Sequence, residues 1–124
     1  MSKRSDSLYV RDIKEAIEAI FSYTRGITLD DFKLDRMCYS AVIREFELIG
    51  EAVSNLADTV KENYPHIAWQ DIKDFRNLLI HEYFGVDLEI VWNIIRSDLP
   101  SLYETIKMIA KETEETGSDL MPLT

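Results

Sequence analysis

Arg76, Asn77, His81 and Tyr83 place a cation, an amide, an imidazole and a phenol within the length of one helix. A histidine titrates near pH 6.5 when unperturbed, at about the pH where it can either take or give a proton. The arginine fork matches a phosphate that carries transition-state charge. On a helix each residue advances about 100°. With Arg76 as zero, Ile80 falls at about 40°, Lys73 at about 60°, Phe84 at about 80°, Asn77 at about 100° and His81 at about 140°. Tyr83 returns almost to the meridian of Arg76. Ile72, Phe75 and Leu79 gather on the far side, at about 260–320°. The helix should therefore turn an apolar stripe into its own bundle and a basic, hydrogen-bonding stripe outward. Ile80 and Phe84 stand inside that outward stripe, so something should cover it, most simply a second copy of the chain.

The remaining elements are expected to hold this helix in place. Ser5, Asp6 and Ser7 are N-cap candidates for a first helix with apolar residues at Ile13, Ala16, Ile17, Ile20 and Phe21, stopped at Gly26. Thr28 to Asp31 is a second start signal, with acids in the first turn. From there one long helix is expected to about Lys61, with Met37, Ala41, Val42, Phe46, Ile49, Ala52, Val53 and Leu56 on its apolar side. Gly50, mid-helix, costs about 1 kcal/mol relative to alanine and suits a place where another helix or a ligand comes close. Tyr64-Pro65 breaks the pattern before the central helix, roughly Gln70 to Phe84, which Gly85 stops. Asp87 caps a short helix carrying Leu88, Val91, Trp92 and Ile95, and Pro100 marks a kink or the start of a last one. The fold class is all-α, an up-and-down bundle of four to five helices. A single domain is expected over 1–113, with a frayed tail over 114–124.

The chain has 124 residues and a formal net charge of −9. That length can bury a core without disulfides or metal. The charge repels nucleic acid overall, so contact with phosphates needs a local basic patch; a dedicated DNA-binding module is disfavoured. Cys38 is the single cysteine, which excludes an intrachain disulfide and suits a cytoplasmic protein. No apolar run follows Met1-Ser2-Lys3-Arg4, so no signal peptide is expected, and nothing reaches the roughly 20 apolar residues of a membrane span.

Arg76-Asn77-x-x-x-His81-x-Tyr83 resembles the Arg-x4-His-x-Tyr signature of the HEPN superfamily, and more closely the HepT-like toxins of HEPN/MNT toxin–antitoxin modules. The resemblance extends through Ala41-Val42-Ile43-Arg44, Ile49-Gly50-Glu51-Ala52, Tyr64-Pro65, Trp69, Tyr83-Phe84 and Val91-Trp92, and covers roughly Leu8 to Ile109. It implies a homodimer with the motif helices facing each other across a cleft. It also implies a metal-independent endoribonuclease, the toxin of a type VII-like pair, acting on tRNA or mRNA without a cofactor. The partner it implies is an MNT-type nucleotidyltransferase antitoxin that transfers AMP to the motif tyrosine. On this chain Arg76 and His81 match the catalytic pair and Tyr83 the AMP acceptor.

Cleaving RNA without a metal uses the 2′-hydroxyl as nucleophile, a base to take its proton, a cation for the phosphoryl charge and an acid for the leaving oxygen. One chain offers one motif histidine, so separate acid and base require two chains. Asn77 can orient the imidazole or hold a phosphate oxygen, and Lys73 can add positive potential. Glu51 can pair with Arg76 or position His81. Taken singly, each of these residues has an ordinary structural use: a solvated arginine, a packed histidine, an amphipathic tyrosine. His66 lacks metal-ligand spacing, and no metal site is expected from two histidines. Tyr9, Tyr23, Tyr39, Tyr64 and Tyr103 read as packing or interface residues, and Glu112, Glu114 and Glu115 as a solvated helix end. The alternative function is a catalytically silent helical module that engages a nucleotidyltransferase or nucleotide, which the acidic charge favours.

Overall fold

The computed structural model describes residues 5–82 and 85–120, with side chains as far as Thr113. Among the described residues there are seven helices: α1 (Asp6–Thr24), α2 (Leu29–Leu34), α3 (Arg36–Asn55), α4 (Asp58–Glu62), α5 (Trp69–His81), α6 (Leu88–Ser97) and α7 (Leu99–Leu120). Two are short, of six and five residues, so the remainder form the all-α bundle expected. α3 lies at its centre, against α1 on one side and α5 on the other, while α7 packs on α1 and α6. Ile13, Ile17 and Ile20 of α1, Val42, Ile49 and Val53 of α3, and Ile106 and Ile109 of α7 are buried at helical spacing and form the core.

The single long helix expected up to Lys61 is instead three. Thr28 and Asp31 form a reciprocal capping box that starts α2, as the start signal there implied. Asp35 then accepts a hydrogen bond from the Cys38 amide at 3.0 Å and caps a new helix, α3. Buried Phe32, with its ring against Trp92 at 5.3 Å, ties α2 to α6 and sets the bend. Met37 is 84% exposed at this corner, so it is not a core position. The second break follows Asn55, where the Ala57 amide donates to Asp6 Oδ1 at 3.1 Å. Asp6 is thus used on a segment distant in sequence rather than as the cap of α1. Ser5 occupies that cap position without a side-chain bond to a helix amide, its hydroxyl instead lying 2.9 Å from that of Ser7.

Other signals hold. Gly26, at φ +74°, follows the last turn of α1 in the left-handed region. Asp87 caps α6 through the Glu89 amide at 2.9 Å. α6 and α7 are separated only by Asp98, and Pro100 sits in the first turn of α7, where a missing N–H does no harm. α7 runs on to Leu120, through most of the segment expected to be tail. No described helix is long and apolar enough to cross a membrane.

The loop that delivers α5 is fastened at several points. The Trp69 indole N–H donates to the carbonyls of Lys61 and Tyr64 at 3.2 and 3.1 Å. The Tyr64 hydroxyl donates to Glu112 of α7, and His66 Nε2 lies 3.2 Å from Thr105 Oγ1. Glu112 therefore anchors the loop, a role beyond that of a solvated helix end. These ties fix the N-terminal end of α5 against α7, while Leu79 and the Phe46–Phe75 contact, centroids 5.2 Å apart, fix its length against the core.

Candidate active site

α5 ends at His81, with Glu82 as its C-cap, slightly short of the Phe84 limit expected. Leu79 is buried and Ile72 and Phe75 half-buried, so the inward stripe is as expected. Asn77, Ile80 and His81 are exposed, with Ile80 at 41%. Leu78 is exposed as well, at 48%. Tyr83 and Phe84 lie outside the described residues, and the expectations placed on them are neither helped nor harmed.

Arg76 departs from the outward stripe. Its stem lies directly on Gly50 of α3: a Cβ placed on that glycine would stand 2.2 Å from Arg76 Cβ and 2.5 Å from Cγ. α3 crosses α5 here, and no side chain other than hydrogen would let the helices meet this closely. The tip of Arg76 turns toward Glu51, with Nη2 2.6 Å from Oε2. Its Nη1 donates to Asn77 Oδ1 at 3.2 Å. Of the two roles open to Glu51, pairing with Arg76 is the one observed. Asn77 likewise serves the arginine. The Arg76 side chain keeps 30% of its surface in solvent, and Lys73, one turn earlier, is half-buried.

Neither of two cavities of about 520–530 Å³ is lined by Arg76 or His81. One lies between α1 and α3, with Asp12, Glu15, Glu45 and Glu51 on its walls. The other has an apolar floor that includes Phe46, Ile72 and Phe75. Outside these two cavities His81 is exposed, while Arg76 is part-buried against α3. The carboxylates of the α1–α3 cavity suit neither a phosphate nor an oxyanion. His66, the second histidine, faces Thr105 on α7 and lines the second cavity, which Arg76 and His81 do not line.

The helical bundle and the Arg76-Asn77-x-x-x-His81 helix at its surface define a HEPN-type domain. The profile of the ribonuclease HepT-like family matches residues 13–109, and the chain belongs to that family. It is 42% identical over 109 residues to a Thermococcus cleftensis protein named "probable ribonuclease HepT", covering 88% of this chain and 99% of the relative. It is 40% identical over 117 residues to a Methanocaldococcus jannaschii protein named "gamma-glutamylcyclotransferase and putative RNase". That alignment covers 94% of this chain and 53% of the relative, so the chain spans about half the length of that protein. A Caldanaerobacter subterraneus "putative RNase" is 36% identical over 104 residues, or 84% of this chain and 93% of the relative. No solved structure matches.

Proposed function

We propose that this ribonuclease-family chain is the toxin of a type VII-like HEPN/MNT toxin–antitoxin pair. In this reading it is a metal-independent endoribonuclease of tRNA or mRNA, working as a homodimer with its site between the α5 helices of two copies. The observation that carries the reading is a held, part-exposed Arg76 on the same helix as an exposed His81, with exposed Ile80 between them on that face. A facing α5 would cover Ile80 and enclose the arginines. It would also supply a second histidine, giving one base and one acid.

One His81 takes the proton of the 2′-hydroxyl, whose oxygen attacks the adjacent phosphorus. Arg76 meets the charge on the non-bridging oxygens. The bond to the 5′-oxygen breaks, that oxygen takes a proton from the other His81, and a 2′,3′-cyclic phosphate remains. Tyr83, two positions beyond His81, is the AMP acceptor in this scheme. Its phenol gives up its proton as the oxygen attacks the α-phosphorus of ATP held by an MNT-type nucleotidyltransferase, and pyrophosphate leaves. A bulky adenylate two residues on from His81 in sequence would then exclude RNA.

The test is cleavage of labelled tRNA and mRNA in EDTA by wild type, Arg76→Ala and His81→Ala. Wild type should leave cyclic phosphate ends, and each variant should be slower by at least about 100-fold while staying folded. Protein shown by intact mass to carry no AMP, yet cleaving nothing, would reject the ribonuclease. A net charge of −9 would then favour a silent module that engages a nucleotidyltransferase.

A further inference from the structure

Two consecutive residues of α3 hold Arg76 at both ends. Gly50 carries no side chain where the arginine stem lies, and a Cβ there would clash with Arg76 Cβ itself, which no rotamer can move. Glu51 holds the tip at 2.6 Å, and Asn77 holds the other terminal nitrogen at 3.2 Å. The guanidinium has five N–H groups, so the fork keeps donors for a ligand, on a side chain 30% exposed. With stem and tip both fixed, it is preorganised rather than free to follow a phosphate.

We propose that Gly50 and Glu51 form a seat for Arg76, and that Glu51 is a positioning residue of the ribonuclease site. The proposal rests on the ribonuclease reading above. Glu51 acts in two opposed ways. Its charge lies beside the place an RNA phosphate would occupy and weakens binding of the ground state. At 58% exposure that repulsion is screened without being abolished. Its charge-assisted hydrogen bond fixes the fork where phosphoryl charge builds, which serves the transition state. Removing the charge while keeping an acceptor oxygen should therefore separate the two effects.

The experiment is kinetics of RNA cleavage by Glu51→Gln, alone and with Arg76→Ala. Binding of 2′-O-methyl RNA, which cannot be cleaved, is measured in parallel, with NMR of the Arg76 guanidinium. Glu51→Gln should lower kcat about ten-fold and bind the blocked RNA several-fold more tightly. In the Arg76→Ala background it should leave kcat unchanged, because the rate effect acts through the arginine, while RNA binding should still tighten, because the repulsion is direct. The Arg76 Nη protons should be resolved in wild type and averaged in Glu51→Gln. A residue that merely stabilised the fold would not tighten RNA binding. Unchanged kcat and binding, or a further loss in the double variant, would overturn the proposal. Wild type that cleaves no RNA would reject the ribonuclease reading and with it the positioning role. Resolved Nη protons would then still leave the seat standing as a structural pair, and averaged ones would remove the seat too.

Discussion

Tyr23, Tyr64 and Tyr103 each donate a hydroxyl to a glutamate on another element: Glu45, Glu112 and Glu18. In every case the bond to the carboxylate, more than burial, raises the phenol pKa. Tyr64 is pushed furthest, from 10.0 to about 12. A raised folded-state value means the native state holds this proton more tightly than the unfolded chain does. The stabilisation is therefore complete below pH 10 and is lost as pH rises through about 12. Tyr64→Phe should remove the late-ionising component from a tyrosinate absorbance titration. It should also flatten the fall in stability across that window, seen in urea unfolding at stepped pH. A titration identical to that of wild type would show that Tyr64 is not held by Glu112. These pairings were not legible in the chain, where an exposed glutamate in an acidic run looks like any solvated residue. Only the fold brings Tyr64 and Glu112 together. Arg76, Asn77 and His81, by contrast, stood out because their types and spacing lie within one helix.

At the scale of elements, the helical periodicity announced every major helix, and the caps at Thr28 and Asp87 marked two starts. What it missed was where helices break. The apolar pattern runs on across Asp35 and Asn55, because periodicity records a face and not the continuity of hydrogen bonds. The break after Asn55 depends on Asp6, on α1, reaching the Ala57 amide, a contact without a local signature. The packing of the Arg76 stem on α3 was missed for a similar reason: angles on one helix say nothing of where a second helix crosses it. The local clue was Gly50, a residue whose helical cost suggested a close approach. Its substitution is the sharpest test of that crossing. Gly50→Ala gains about 1 kcal/mol in helix propensity. Against this, its methyl would overlap Arg76 Cβ, and overpacking of this kind costs about 1–3 kcal/mol or more. Denaturant unfolding should show a net loss of up to about 2 kcal/mol, with weaker cleavage as α5 is displaced. A stabilised variant with full activity would mean that α3 and α5 do not meet this closely.

On the scale of the whole molecule, the chemistry asked of the site exceeds what one chain contains. His81 is exposed and Arg76 part-exposed, and neither lines the two cavities of about 520–530 Å³ among the described residues. With a net charge of −9, RNA must also be met by local positive potential. Two facing α5 helices would double the arginines in one cleft without changing the charge elsewhere. If acid and base are the His81 residues of two copies, a dimer that lacks either one is inactive. Wild type and His81→Ala, dissociated and allowed to reassort at a fixed total concentration, should then give activity that falls with the square of the wild-type fraction. An equal mixture would keep about a quarter of the activity of wild type, where independent sites would keep about half. Because both proteins share the same surface outside one imidazole, reassortment should be close to random. Native mass spectrometry of isotope-labelled copies would check it. A straight-line dependence on wild-type fraction would show that each chain carries a complete site, and the composite cleft would have to be abandoned even if ribonuclease activity stood.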